Sequence, residues 1–116
     1  MSSAMLTALT GLQAQSLAMA VSANNVANVE TDGFKKSRVL FREALPSGVS
    51  VAVEKDERPG TIVTGAFPED GERELSNVNL HEEIVRLITT GYAYKAGVVT
   101  VRTAYEMEEK LMDILA

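Results

Sequence analysis

Apolar side chains recur along the first quarter of the chain at Met5, Leu9, Leu12, Met19, Ala23 and Val26, with Ser16 as the one polar member of the row. Steps of four and three alternate, which keeps the row on one side of an α-helix. Ser2 or Ser3 could cap its start. The flanking positions Ala8, Gln13, Ala14 and Ala20 are small or polar, and no charged side chain occurs between Met1 and Val29. A solvated helix face normally carries Lys and Glu. The pattern therefore fits a core helix of a small domain or, more sharply, a helix enclosed on several sides by other helices, some from other subunits.

The rhythm breaks at ANNVANVETDGFK, residues 23–35. Thr31-Asp32-Gly33-Phe34 has turn chemistry, with Gly33 able to take positive φ. Two-residue alternation follows. Val39 and Phe41 alternate with Arg38, Leu40 and Arg42, Val49, Val51 and Val53 with Ser50, Ala52 and Glu54, and Ile62-Val63 sits between threonines. Pro46-Ser47-Gly48 and Pro59-Gly60 punctuate these runs. Two or three such short strands need a helix to lie against. The run from Pro68 to Glu74 reads as a charged loop.

A second helix begins near Leu80. Asn79 with Glu82 three residues on matches a capping box, and Glu82 and Glu83 suit the positive end of the helix dipole. Leu80, Ile84, Leu87, Gly91, Tyr94, Val98, Val101, Tyr105, Glu108, Met112 and Leu115 again alternate steps of four and three. Glu82–Arg86 and Glu106–Lys110 stand four apart in the favourable order. A continuous helix of this length is roughly 50 Å long, whereas a compact globule of this chain length is only about 35 Å across. The helix should protrude, leaving apolar surface for self-assembly or a partner. The expected fold is mainly α with a small β part, with long N- and C-terminal helices of coiled-coil-like spacing and short β strands or a hairpin between them. Its segments would be 1–30, a helix with an Asn-rich joint, 31–75, a short β-containing middle, and 76–116, the second helix.

Composition narrows the function classes. The net charge of −5 argues against nucleic-acid binding, which needs a basic stripe. Cysteine is absent, which removes disulfides, thiolate metal sites and cysteine nucleophiles. Ala18-Met19-Ala20 resembles a leader cleavage site, but the first cation is Lys35 and polar residues interrupt the apolar run, so neither a cleaved leader nor membrane insertion is expected. The lone histidine, His81, has no second His or Cys to converge with and reads as a surface residue. No nucleophile-elbow, phosphate-loop or dinucleotide pattern occurs. Catalytic, cofactor and metal residues are expected to be absent. Composition alone leaves the Asn cluster as either a helix-to-loop joint or a functional site.

ANNVANVETDGFK resembles the signature of the bacterial flagellar rod and hook proteins, with Val26 where Leu or Ile is usual. Ala8 to Gln15 is similar to that family's opening segment. Leu75-Ser76-Asn77-Val78-Asn79-Leu80, Glu82 to Val85, Ala93 to Ala96 and Thr103 to Met107 are similar to its C-terminal segment. The resemblance covers both terminal thirds in order and implies a short, proximal-rod-like axial subunit of the flagellar basal body, exported uncleaved by the flagellar type III apparatus. It implies that the two terminal helices pair as an antiparallel coiled coil, with partners among its own copies and other rod and hook proteins, and no cofactor. The motif residues are Asn24, Asn25, Asn28, Thr31, Gly33 and Phe34. Leu9, Leu12, Met19, Leu80, Ile84, Leu87, Tyr94, Val98 and Val101 are the candidate packing and assembly positions. Gly91 and Gly97 depart from the family's longer polar residues. A non-polymerising helical adaptor or chaperone-like protein of the export apparatus is the alternative, and an enzyme around His81 a third.

Overall fold

The computed structural model describes residues 3–116. Helix α1 (Ser3–Ala27) leads into strands β1 (Ser37–Glu43) and β2 (Val49–Lys55), then β3 (Ile62–Thr64), a 3₁₀ turn (Pro68–Asp70), β4 (Glu72–Glu74) and helix α2 (Leu80–Leu115). The two long helices pack against each other antiparallel. Leu12 meets Gly97, and Ala4 lies beside Ala104 and Met107. The particle measures 81 × 25 × 14 Å. It is a rod rather than a globule, because α2 alone spans about 54 Å at 1.5 Å per residue.

The valine-rich runs form one antiparallel hairpin, with Val39 opposite Val53 and Phe41 opposite Val51. Its loop carries the expected Pro46-Ser47-Gly48, and Gly48 sits at φ 106°. The hairpin lies along α1. At its base Ser37 is bonded to Asn25, and near its tip the Val49 N–H donates to Thr10 Oγ1 at 3.1 Å. The lengths agree. A seven-residue strand covers about 23 Å, and the helical rise between Thr10 and Asn25 is about 22 Å. The charged run after Pro68 is not wholly a loop: Glu72–Glu74 pairs with Ile62–Thr64 as a second small hairpin. Three residues with charged side chains carry too little alternation to show this in sequence.

α1 therefore serves two neighbours. Met5, Ala8, Leu12, Gln15, Met19, Ser22 and Val26 are buried or half-buried toward α2, while Thr7, Thr10, Ala14, Ala18, Val21 and Asn25 are covered on the hairpin side. Compared with the sequence stripe, the column 5-12-19-26 is kept and Leu9 stays half-buried, but Ser16 and Ala23 stand exposed while Gln15 and Ser22 are covered. α2 shows the same shift. Glu83, Leu87, Thr90, Tyr94, Gly97, Val101, Ala104 and Glu108 turn inward, keeping 87-94-101-108 and adding 83-90-97-104, while Ile84, Val98 and Tyr105 stand exposed and Gly91 stays half-buried. The small side chains at Thr90, Gly97 and Ala104 let the helices approach closely. Of the candidate packing residues, Leu9, Leu12, Met19, Leu87, Tyr94 and Val101 are half-buried, and Leu80, Ile84 and Val98 are exposed.

Gly97 explains itself in this seam. A Cβ there would fall 2.8 Å from Leu12 Cδ2, whereas a Cβ on Gly91 would meet nothing within 4 Å. Gly91→Ala should therefore stabilise the chain by about 1 kcal/mol through helix propensity. Gly97→Val should destabilise it by about 1–3 kcal/mol through overpacking. Thermal melts of the two variants check the contrast, and equal shifts of one sign would contradict this seam.

Candidate functional site: the helix–strand junction

The Asn cluster sits where α1, the base of the β1–β2 hairpin and the start of α2 converge. Asn25, 1 % exposed, is the clamp. Its Nδ2 donates to the Ser37 carbonyl at 2.9 Å, and its Oδ1 accepts from the Ser37 N–H at 3.0 Å. A side-chain amide thus imitates a neighbouring strand and occupies the outer edge of β1. The cluster does not act by adopting left-handed backbone, since every described non-glycine residue has negative φ. Asn28 extends the helix end instead. Its Nδ2 donates to the Asn24 carbonyl at 2.9 Å, and Thr31 Oγ1 donates to Asn28 Oδ1 at 3.1 Å. Asn24 itself is exposed. Gly33, at φ 70°, turns the chain so that its N–H donates to the Glu74 carbonyl at 2.9 Å. Phe34 is half-buried, and its carbonyl accepts from the Asn77 N–H.

Asn77, outside the candidate site residues, is the second clamp. Its Oδ1 accepts from the Lys36 N–H at 2.7 Å, and its Nδ2 donates to the carbonyls of Asp56 and Arg58 at 2.8 and 2.9 Å. Every polar atom of its amide group is thereby used on backbone, which ties three segments together. Two residues on, Asn79 caps α2 by accepting from the N–H groups of His81 and Glu82. The reciprocal half of the capping box is replaced. Glu82 turns to Arg38 Nη2 at 3.1 Å and Lys36 Nζ at 3.9 Å.

Charges complete the junction. Arg38 Nη1 reaches Glu83 Oε1 at 3.2 Å, so one guanidinium bridges neighbouring carboxylates at the start of α2. Glu83 is fully buried, and its Oε2 has no hydrogen-bond partner. Arg58 bonds Asp56 at 2.5 Å and Lys35 pairs with Glu74. The sequence offered one unused hint of this network, Lys36 and Arg38 close together just before the strand that meets the helix carboxylates. His81 is exposed, and among the described residues no group of His, Asp and Glu could hold a metal ion.

These pairs set a pH dependence. Asp56 is held well below the usual carboxylate range, chiefly by the Arg58 side chain. Glu82 is lowered by the hydrogen bond from Arg38 and then by Lys36, and Glu74 by the bond from Lys35 and then by the Gly60 N–H. A lowered folded-state pKa means that the unfolded chain takes up protons first as pH falls. The stabilisation is complete above the ordinary values of 3.8 for Asp and 4.5 for Glu and is lost as pH drops below them. The melting temperature should be level near neutrality and fall steeply below about pH 4. Asp56→Asn should flatten that fall, and an unchanged acid profile in this variant would count against the assignment.

The junction places the two ends of the chain side by side, and both ends match one family. Residues 5–35 match the flagella basal body rod protein family, and residues 70–114 match the C-terminal segment of the flagellar basal body rod FlgEFG proteins. Over 93 % of its length the chain is 32 % identical to the flagellar basal-body rod protein FlgC of Borreliella burgdorferi, of which 93 % is covered. The chain belongs to the flagellar basal-body rod protein family. It is also 34 % identical over 64 % of its length to the rod protein FlgG of Buchnera aphidicola subsp. Acyrthosiphon pisum, spanning 28 % of that protein. Similarity to the flagellar hook protein FlgE of Treponema pallidum is 39 % identity over 47 % of this chain and 12 % of the relative. The first family segment holds α1 and the Asn clamp, and the second holds Asn77, Asn79 and α2. The rod family's two motif regions thus meet at one network of hydrogen bonds and ion pairs.

Proposed function

We propose that this chain is a structural subunit of the bacterial flagellar basal-body rod that polymerises with itself and with other rod and hook proteins and catalyses no reaction. The observation that carries the reading is the surface that the fold leaves uncovered. On α1, Leu6, Gln13, Leu17, Ala20 and Ala23 form an exposed face without a charge, and on α2, Ile84, Val85, Ile88, Tyr92 and Val99 form an exposed apolar face. Contiguous apolar surface of this extent is characteristic of an association face. By length and composition α1 could also cross a bilayer. Its pairing with α2 and the hairpin, together with the family, supports a place in a protein wall instead.

In this reading residues 1–30 and 76–116 supply the axial helices and residues 31–75 the outward β segment. Leu80, Ile84 and Val98 meet neighbouring subunits. Asn24, Asn25, Asn28, Thr31, Gly33 and Phe34 fix where the axial helix stops and the β segment departs. Delivery is through the flagellar type III export apparatus, with the assembled chain in the basal body. Deleting the gene in its motile source organism should abolish complete rods and motility, with both restored by a plasmid copy. Normal rods in the deletion strain would refute the assignment.

A further inference from the structure

α2 carries a second row of positions in steps of three and four, on the side turned away from α1. Its first six members are Val85, Ile88, Tyr92, Lys95, Val99 and Arg102. Its last three are Glu106, Glu109 and Asp113. All are exposed, and their spacing is that of a coiled-coil seam. The row changes character along its length, being apolar and basic as far as Arg102 and wholly acidic beyond it. Lys95 lies over the Tyr92 ring, with Nζ 5.6 Å from its centre. Neither cation and none of the three carboxylates has an ion pair among the described residues.

The acidic end is electrostatically unfinished. Carboxylates oppose the negative end of a helix dipole, and the last turn of α2 has no basic side chain to offset them. A basic partner would complete it, and the row itself contains one. Lys95 and Arg102 stand seven residues apart, as do Glu106 and Asp113, so cations and carboxylates share one spacing of about 10 Å. Each carboxylate lies eleven residues beyond its cation. Eleven residues rise about 17 Å and complete three turns to within about 20°. Sliding one α2 along another by that distance therefore keeps the same faces together.

We propose that the outer row of α2 docks on the α2 of a second copy, parallel and offset by eleven residues, with Glu106 on Lys95 and Asp113 on Arg102. The proposal rests on the rod reading and specifies the register of one contact in it. In this register Ile88 of one copy meets Val99 of the other, so the apolar half of the row is covered as the charges pair. Antiparallel pairing would also join opposite charges, Lys95 to Asp113 and Arg102 to Glu106. It would run off the end of α2 before Val85 and Ile88 were covered. The two copies contribute different stretches, so the contact is heterologous and does not close as a twofold dimer.

The test uses variants expressed as the sole copy in the source bacterium, with basal bodies purified and counted. The chain lacks cysteine, so an introduced pair reports on itself alone. Ile88→Cys and Val99→Cys, about 17 Å apart on one helix, are too distant to join within a chain. Together, on oxidation with copper phenanthroline, they should link copies into a ladder, and either change alone should not. Lys95→Glu with Arg102→Glu should cut the number of rods by about tenfold or more through like-charge contacts. Glu106→Lys with Asp113→Lys should do the same, and all four reversals in one chain should restore rods. Rods that hold the cysteine pair but give no ladder overturn the register, and so does a ladder from Val99→Cys with Glu109→Cys, the antiparallel pair. If the cysteine pair prevents rods, the charge reversals decide, and wild-type numbers of rods with either reversal overturn the contact. Loss that the fourfold reversal does not restore assigns these charges to a different rod protein and likewise overturns pairing between copies. Normal rods in the deletion strain would instead refute the rod reading itself.

Discussion

Asn25→Ala is expected to destabilise the chain by about 2–4 kcal/mol, the largest effect of any single amide in the molecule. Truncation removes two hydrogen bonds at once and strands the N–H and C=O of the half-buried Ser37. The penalty is the desolvation of two backbone groups as well as the loss of the bonds. Asn25→Asp should be nearly as damaging, since it keeps the acceptor but sets a carboxylate against the Ser37 carbonyl. Asn24→Ala is the control, because Asn24 is exposed and should change stability by no more than about 0.5 kcal/mol. Urea unfolding followed by circular dichroism reads all three. If Asn24→Ala and Asn25→Ala cost the same, the clamp is not where the free energy lies.

The second large effect is expected at the helix seam. Leu12→Asp would place a carboxylate against Gly97 at the half-buried α1–α2 contact. Loss of the apolar contact and burial of the charge together should cost about 3 kcal/mol or more. The purified chain should melt early and fail to enter rods. Leu87→Asp, at a half-buried seam position of α2, should behave alike. Leu17→Asp separates the two consequences. Leu17 is 40 % exposed on the uncharged outer face of α1, so the isolated chain should keep its melting temperature while losing assembly. A Leu17→Asp chain that enters rods at wild-type levels would remove this face from the subunit interface.

Both predictions depend on how the chain's surfaces are divided. α1 has a seam for α2, a strip for the hairpin and a third face left over. A lone amphipathic helix would charge that third face for solubility. Here it carries Leu, Gln, Ala and Ser, so the division makes physical sense if further helices supply the missing cover. The net charge of −5 is accordingly held by Glu30, the β segment and α2.

What the sequence by itself determined is local. The four-three rhythm specified both long helices, the two-residue alternation of Val39 to Phe41 and Val49 to Val53 specified the hairpin, and Asn79 marked the start of α2. Chain length against helix length required an elongated shape. Each follows from a periodicity or a cap acting over a few residues. Tertiary structure decided the rest. Whether Ile84 or Glu83, Val98 or Gly97, turned inward depended on what packed against the helix, because positions one apart lie about 100° from each other around the axis. At Thr90, Gly97 and Ala104 small side chains took the inner column, and Gly97 allows the close approach at Leu12, while Glu83 turned in to meet Arg38. The Asn cluster behaves the same way. Its composition marked a helix end, but its main bond reaches twelve residues ahead to Ser37, and its counterpart Asn77 reaches back forty-one to Lys36. No local pattern encodes contacts at that separation, and they exist only once the two ends of the chain lie side by side.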